Sequence, residues 1–136
     1  MTKSEIEKLH DQLLTYWNQQ DAKGMASLFT DNGSTIGFDG SQMNGQNEIR
    51  TALEQVFAHH TTAAYIWKVK EVRLLNSETA LLRAIVGMIP PGKTEINPLT
   101  NAVQSLIALK ENNNWKIALF QNTPAQFMEG RSWWKK

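Results

Sequence analysis

Apolar residues recur at helical spacing through the first half of the chain and at strand spacing through the second. Ile6, Leu9, Leu13 and the Tyr16–Trp17 pair fall three and four apart, which predicts an amphipathic helix. Thr2 with Glu5, or Ser4 with Glu7, offers a capping box at its start. Asp21 stands as the N-cap of a second, shorter helix carrying Met25, Leu28 and Phe29, which Asp31-Asn32-Gly33 stops. A brief strand is predicted over Ser34–Phe38, ending at Asp39-Gly40. A Gly- and Asn-rich loop then leads through Asn44-Gly45 into a third helix with Ile49, Ala52, Leu53, Val56 and Phe57 on one face. Beyond His59-His60 the period becomes two. Tyr65–Leu75 and Thr79–Ile89 read as long strands around an Asn76-Ser77 turn. After Pro90-Pro91-Gly92 a loop of roughly a dozen residues runs to Asn101, a length that often serves function rather than connection. Ala102–Lys110 and Trp115–Asn122 form a final hairpin, and a tail over Thr123–Lys136 carries Phe127, Trp133 and Trp134. Helices followed by strands define an α+β chain.

Polar residues interrupt the apolar runs of the last three strands at Arg83, Gln104 and Gln121. A buried guanidinium or amide is costly without a hydrogen-bond partner, so such residues either stitch a core together or line a cavity. The hairpin register follows from its turn. If Glu111 pairs with Asn114, strict alternation sets Gln104 opposite Gln121, Leu106 opposite Leu119 and Ala108 opposite Ile117. Gln104, Leu106, Ala108, Trp115, Ile117, Leu119 and Gln121 then share one face, and Ser105, Ile107, Leu109, Ala118, Phe120 and Asn122 the other. Both faces are apolar. Helices on one side and a second subunit on the other would satisfy that pattern, so a homodimer is expected.

Composition narrows the classes. The 136 residues, 41% hydrophobic, fit one domain over residues 1–136 with 123–136 as a C-terminal tail. A formal net charge of +1, with scattered Lys and Arg, argues against a dedicated nucleic-acid or membrane-surface binder. Cysteine is absent, which removes disulfides, thiolate metal sites and Cys nucleophiles. Met1–Glu5 lacks the apolar core of a secretion signal and no run is long enough to span a bilayer, so a cytoplasmic location is expected.

The succession of two helices, a short strand, a third helix and four antiparallel strands resembles the cone-shaped fold of the nuclear transport factor 2-like, or SnoaL-like, superfamily. Within it, Thr35-Ile36-Gly37-Phe38-Asp39-Gly40 followed by Gly45, and Trp115–Thr123, resemble the SgcJ/EcaC family. The resemblance implies a curved antiparallel sheet wrapped around three helices, a cystatin-like roll, with a pocket at the wide end of the cone. By position it implicates Tyr16 or Trp17, Phe29, Phe38, Asp39, Arg83, Gln104 and Gln121 in that pocket, with Trp115 and Ile117 deeper on the same face. The SgcJ/EcaC family is often called oxidoreductase. The glycines at 24, 33, 37, 40, 45, 87, 92 and 130 form neither a dinucleotide fingerprint nor a phosphate loop, so no cofactor is expected.

Two chemistries compete for the pocket. In an acid–base enzyme acting on a small cyclic or carbonyl-containing metabolite, Asp39 would be the base, its pKa raised by apolar surroundings. Tyr16 would then donate a hydrogen bond and Arg83 would anchor the substrate. The isomerase-like members add a second acid, which the last three strands here lack. In a non-catalytic binding module, Arg83, Gln104 and Gln121 would fix a ligand, with Trp17, Phe29 and Phe38 as the apolar wall. Structural alternatives stand beside each: Asp39-Gly40 as turn chemistry, Arg83 pointing outward or ion-paired, and Gln104 bonding Gln121 across the strands. A third possibility is a vestigial pocket on an assembly module. His59 and His60 sit side by side at a helix end and His10 lacks a ligand at helical spacing, so no metal site is expected. Trp133 and Trp134 beside Lys135 and Lys136 read as packing residues rather than a nucleic-acid patch.

Overall fold

The computed structural model describes residues 2–125; the expectations for Phe127, Trp133 and Trp134 lie outside them. Helix α1 spans Thr2–Asn18, and α2 spans Ala22–Ser27. Asp21 caps α2 as expected, its side chain accepting from the Gly24 amide at 2.8 Å. The helix ends earlier than predicted, because Phe29 already opens strand β1 (Phe29–Ile36). The cause is tertiary: the Ile117 amide donates to Leu28 O at 2.8 Å and pulls this segment onto the sheet. A tight turn through Gly37–Ser41 leads into β2 (Gln42–Asn44), a strand where the sequence predicted only loop. Helix α3 covers Gln46–His59, and the His60 amide closes it on Val56 O.

Strands β3 (Ala64–Asn76), β4 (Thr79–Ile89), β5 (Ala102–Glu111) and β6 (Asn114–Pro124) follow, with a short 3-10 turn at Pro98–Thr100 in the loop before β5. The sheet order is β2-β1-β6-β5-β4-β3. Neighbours are antiparallel except β1 and β6, which run parallel. The result is the expected α+β architecture: a curved open sheet with three helices on its concave face. Ile6, Leu13 and Leu14 of α1 and Ile49 of α3 are fully buried against Leu82, Leu106 and Ile117 of the sheet. Gly33 is dictated by close approach, since a Cβ there would lie 2.6 Å from Ile117 O.

The β5–β6 hairpin begins in the predicted register. Glu111 pairs with Asn114 across Asn112 and Asn113, both at positive φ (49° and 65°), as a two-residue hairpin turn requires. Ala108 pairs with Ile117, but Ile107 then pairs with Leu119. Ala118 is the extra residue of a β-bulge, and a one-residue slip exchanges the faces of everything beyond it. Phe120 therefore joins the core at 3% exposure, Asn122 faces Gln104, and Gln121 moves to the convex side opposite Ser105. This corrects the expected Gln104–Gln121 pair.

The bulge makes a sharp prediction. Phe120→Ala should cost about 3–5 kcal/mol in urea unfolding, whereas Leu119→Ala, on the convex face, should cost roughly 1 kcal/mol or less. An unbroken register would reverse that order.

Candidate functional site

A cavity of about 200 Å³ opens between the helices and the concave side of the sheet. Trp17 of α1, Met25 of α2, and Ile49 and Leu53 of α3 form its helical wall. Thr35, Gly37 and Phe38 at the end of β1, with Met43 of β2, close one side; Tyr65, Met88, Phe120 and Asn122 supply the sheet. Three methionines in the lining give a wall that adapts to shape, because unbranched thioether chains repack readily. No Asp, Glu, Lys, Arg or His stands among these residues.

Trp17 is held rigidly. Its indole nitrogen donates to Ala63 O at 2.9 Å, and its ring packs against Phe57 and Tyr65 at centroid distances of 5.2 and 5.5 Å. Asn18 clamps the adjacent strand: its Oδ1 accepts from the Tyr65 amide at 2.8 Å, and its Nδ2 donates to Tyr65 O at 3.1 Å. Tyr65 belongs to the outermost strand β3, and Asn18 fills the hydrogen-bonding role of a missing neighbour there. Burial pushes the Tyr65 hydroxyl up to about 12, with the Gln104 side chain opposing the shift, so it stays protonated in the physiological range.

Behind Asn122 runs a buried polar chain. His10 and Gln104 are fully buried, and His10 Nε2 lies 2.8 Å from Gln104 Oε1. An amide oxygen only accepts, so the ring nitrogen carries the proton and donates. Gln104 Nε2 in turn donates to Asn122 Oδ1 at 2.9 Å. Burial depresses the His10 pKa below its ordinary 6.5, against the Gln104 hydrogen bond and the charge of Asp11. The imidazole is neutral, and its ring edges meet Trp67 and Phe120. Its Nδ1 has no hydrogen-bond partner among the described residues.

The structure scatters the residues singled out from sequence. Trp17 and Phe38 line the cavity. Gln104 lies one side chain behind its wall. Phe29 is 1% exposed in the core. Tyr16 packs over Gly24 at the α1–α2 junction, where a Cβ would come within 2.7 Å of its ring. Asp39 is fully exposed in the Gly37–Ser41 turn, its Oδ1 accepting from the Ser41 amide at 2.9 Å and the Ser41 hydroxyl at 2.7 Å. Those donors hold its carboxyl below the usual carboxylate range, opposite to the upward shift expected of a base in an apolar pocket. Arg83 sits between Leu82 and Ala84, both fully buried on the concave face, so alternation turns it outward. There it pairs with Glu71 at 2.9 Å, an exposed contact worth under about 1 kcal/mol. The expected cluster of Asp39, Tyr16, Arg83 and Gln121 around the pocket is thus corrected.

Tyr65, Asn122 and His10 were not anticipated as site residues. His10 carried a readable signal, since Ile6, His10, Leu13 and Trp17 follow the spacing of one helical face. Asn122 carried none, because its orientation depends on the bulge. Among the described residues no group of three or more His, Asp or Glu side chains converges as a metal site, and no helix is long and apolar enough to cross a membrane.

The fold and the cavity together define a SnoaL-like domain, and the family match extends over residues 6–122. The chain belongs to the SnoaL-like domain family. A domain of unknown function with a cystatin-like fold from Nostoc punctiforme is 26% identical at a TM-score of 0.86, over 97% of this chain and 82% of that one. A ketosteroid isomerase-like protein from Erwinia carotovora atroseptica is 19% identical at a TM-score of 0.70, over 92% and 97%. A nuclear transport factor 2-like protein of unknown function from Shewanella oneidensis is 17% identical at a TM-score of 0.75, over 90% and 99%. No curated protein matches the chain.

The buried chain yields two predictions. Gln104→Leu leaves a donor on His10 and an acceptor on Asn122 unpaired, and should cost about 2–4 kcal/mol. The lowered His10 pKa means that the unfolded chain binds a proton at higher pH than the folded chain. Stability therefore falls as pH drops below about 6.5, by up to ~1.4 kcal/mol per unit from this residue. Urea unfolding at pH 7.5 and 5.5 should show that loss in the wild type and a smaller one in His10→Gln. Equal losses would exclude His10 as the cause.

Proposed function

We propose that this protein binds an uncharged, predominantly apolar small molecule in the concave cavity, without transforming it by acid–base chemistry. The observation that carries this reading is the chemistry of the wall: aromatic and methionine side chains, two hydroxyls and one amide, with no carboxylate or cation. A cavity of about 150 Å³ with apolar walls admits benzene, so the space here suits a molecule built on one ring. Of the titratable groups, Tyr65 alone is in the wall, and a hydroxyl pushed up to about 12 serves as a hydrogen-bond donor rather than a base near neutrality. The ketosteroid isomerase-like neighbour supports a carbonyl-bearing ligand by analogy of fold alone. Membership of the SgcJ/EcaC group rests on the Thr35–Gly40 and Trp115–Thr123 motifs, and the cytoplasmic location on sequence.

Homodimerisation is part of the same reading. Ile107 of β5 and Leu119 of β6 are half-buried on the convex face, where Val103 packs with Ile85 and Ala125 in a cluster separate from the main core. A second copy of this face is the simplest cover for such a stripe.

Both parts are testable. Ethylbenzene should raise the Tm of the wild type in a concentration-dependent way and leave that of Met43→Trp, whose new indole fills the cavity, unchanged. A wild-type Tm indifferent to ethylbenzene, and to other single-ring probes, would sink the binding reading. Ile107→Glu should convert a dimer into a folded monomer in sedimentation velocity; a wild type already monomeric at tens of micromolar would contradict the dimer.

A further inference from the structure

The polar chain behind the cavity has a direction. His10 Nε2–H donates to Gln104 Oε1, and Gln104 Nε2 donates to Asn122 Oδ1. Each amide thereby has its oxygen committed on the side of α1, and the reverse orientation would either set Gln104 Nε2 against the ring N–H or move the imidazole proton to Nδ1, where it would lie buried with no partner among the described residues. A buried donor facing a donor loses the bond and keeps the desolvation cost of both groups, so the arrangement resists flipping. Asn122 stands at the end of this chain in the cavity wall, beside Thr35 and Gly37. Its oxygen is occupied, and its Nδ2 has no partner among the described residues.

We infer that His10, acting through Gln104, is a positioning residue that sets Asn122 to present its amide N–H to the cavity, so that the site selects an uncharged ligand carrying a hydrogen-bond acceptor such as a carbonyl oxygen. The inference rests on the binding reading above and adds the polar end of the ligand to it. A carboxylate or phosphate would enter a wall without a balancing cation, which disfavours anions. A ligand offering only a donor would find no lone pair on Asn122 Nδ2 and would have to turn to the Thr35 or Tyr65 hydroxyl, leaving that amide N–H unpaired. The acceptor-bearing, neutral class is the one that satisfies both constraints.

Two probes of matched shape test this: acetophenone, and ethylbenzene, in which the carbonyl is replaced by a methylene. The readout is the ratio of their dissociation constants, measured by NMR titration of the full chain. Asn122→Leu should shift that ratio at least about tenfold toward ethylbenzene, because the buried carbonyl loses its donor. His10→Leu should shift it in the same direction, and His10→Gln, which still offers Gln104 a donor, should restore it. In the wild type, acetophenone should move the Asn122 side-chain amide resonances and ethylbenzene should not. A ratio unchanged in Asn122→Leu would overturn the inference while leaving the cavity a binding site. A ratio shifted by Asn122→Leu but not by His10→Leu would overturn the positioning role of His10. Binding of neither probe to the wild type would overturn the cavity reading and this inference together.

Discussion

A primary amide placed in the centre of a hydrophobic core must have both ends satisfied, and Gln104 is such a group. It is fully buried on β5, and its hydrogen bonds reach in opposite directions, to His10 on α1 and to Asn122 on β6, with the Tyr65 hydroxyl of β3 also against its side chain. Leaving either end open would cost on the order of 1–3 kcal/mol, a large share of the stability of a chain this size. The amide thus ties the first helix to the sheet in one orientation, where apolar contacts alone would tolerate sliding. Ala84, across from Gln104 on β4, is small and fully buried, as is the polar pair beside it.

From this tie the cavity follows. With α1 seated on Gln104, Trp17 lies two turns further along the same helical face and is fixed by Ala63 O, Phe57 and Tyr65. The bulge at Ala118 turns Phe120 and Asn122 inward together, so the strand contributes one apolar and one polar side chain to the wall. Flexible methionines occupy the remaining sides. The site is therefore mostly apolar with a few convergent polar groups, the usual composition of a small-molecule pocket. Its polarity is supplied by amide and hydroxyl groups, and charge is kept to the exterior, where Arg83 pairs with Glu71 and Asp39 folds back on Ser41.

Much of the architecture was legible because it depends on local signals. The Asp21 cap, the Asn112-Asn113 turn and the helical period of α1 and α3 are written within a few residues of where they act. The α+β fold and the presence of a pocket followed from their order and from the family resemblance. The site residues were less legible, for two physical reasons. In β4 both faces are apolar, with Leu81 and Ile85 on one side and Leu82 and Ala84 on the other, so periodicity could not say where Arg83 points. In β6 a single unpaired residue exchanged the faces, which moved Gln121 out and Asn122 in without any change in composition. Asp39 was placed correctly after a strand, but Asp-Gly-Ser made a self-satisfied turn, and the donors of Ser41 left its carboxyl acidic.

The occupant of the cavity is the most direct readout, and a crystal structure of the protein as purified would show it. The expected result is density for a neutral molecule between Trp17, Tyr65 and Phe120, with an acceptor atom within hydrogen-bond distance of Asn122 Nδ2. Density for an anion held by Asp39, Tyr16 or Arg83, or methionine side chains closing the space completely, would contradict it.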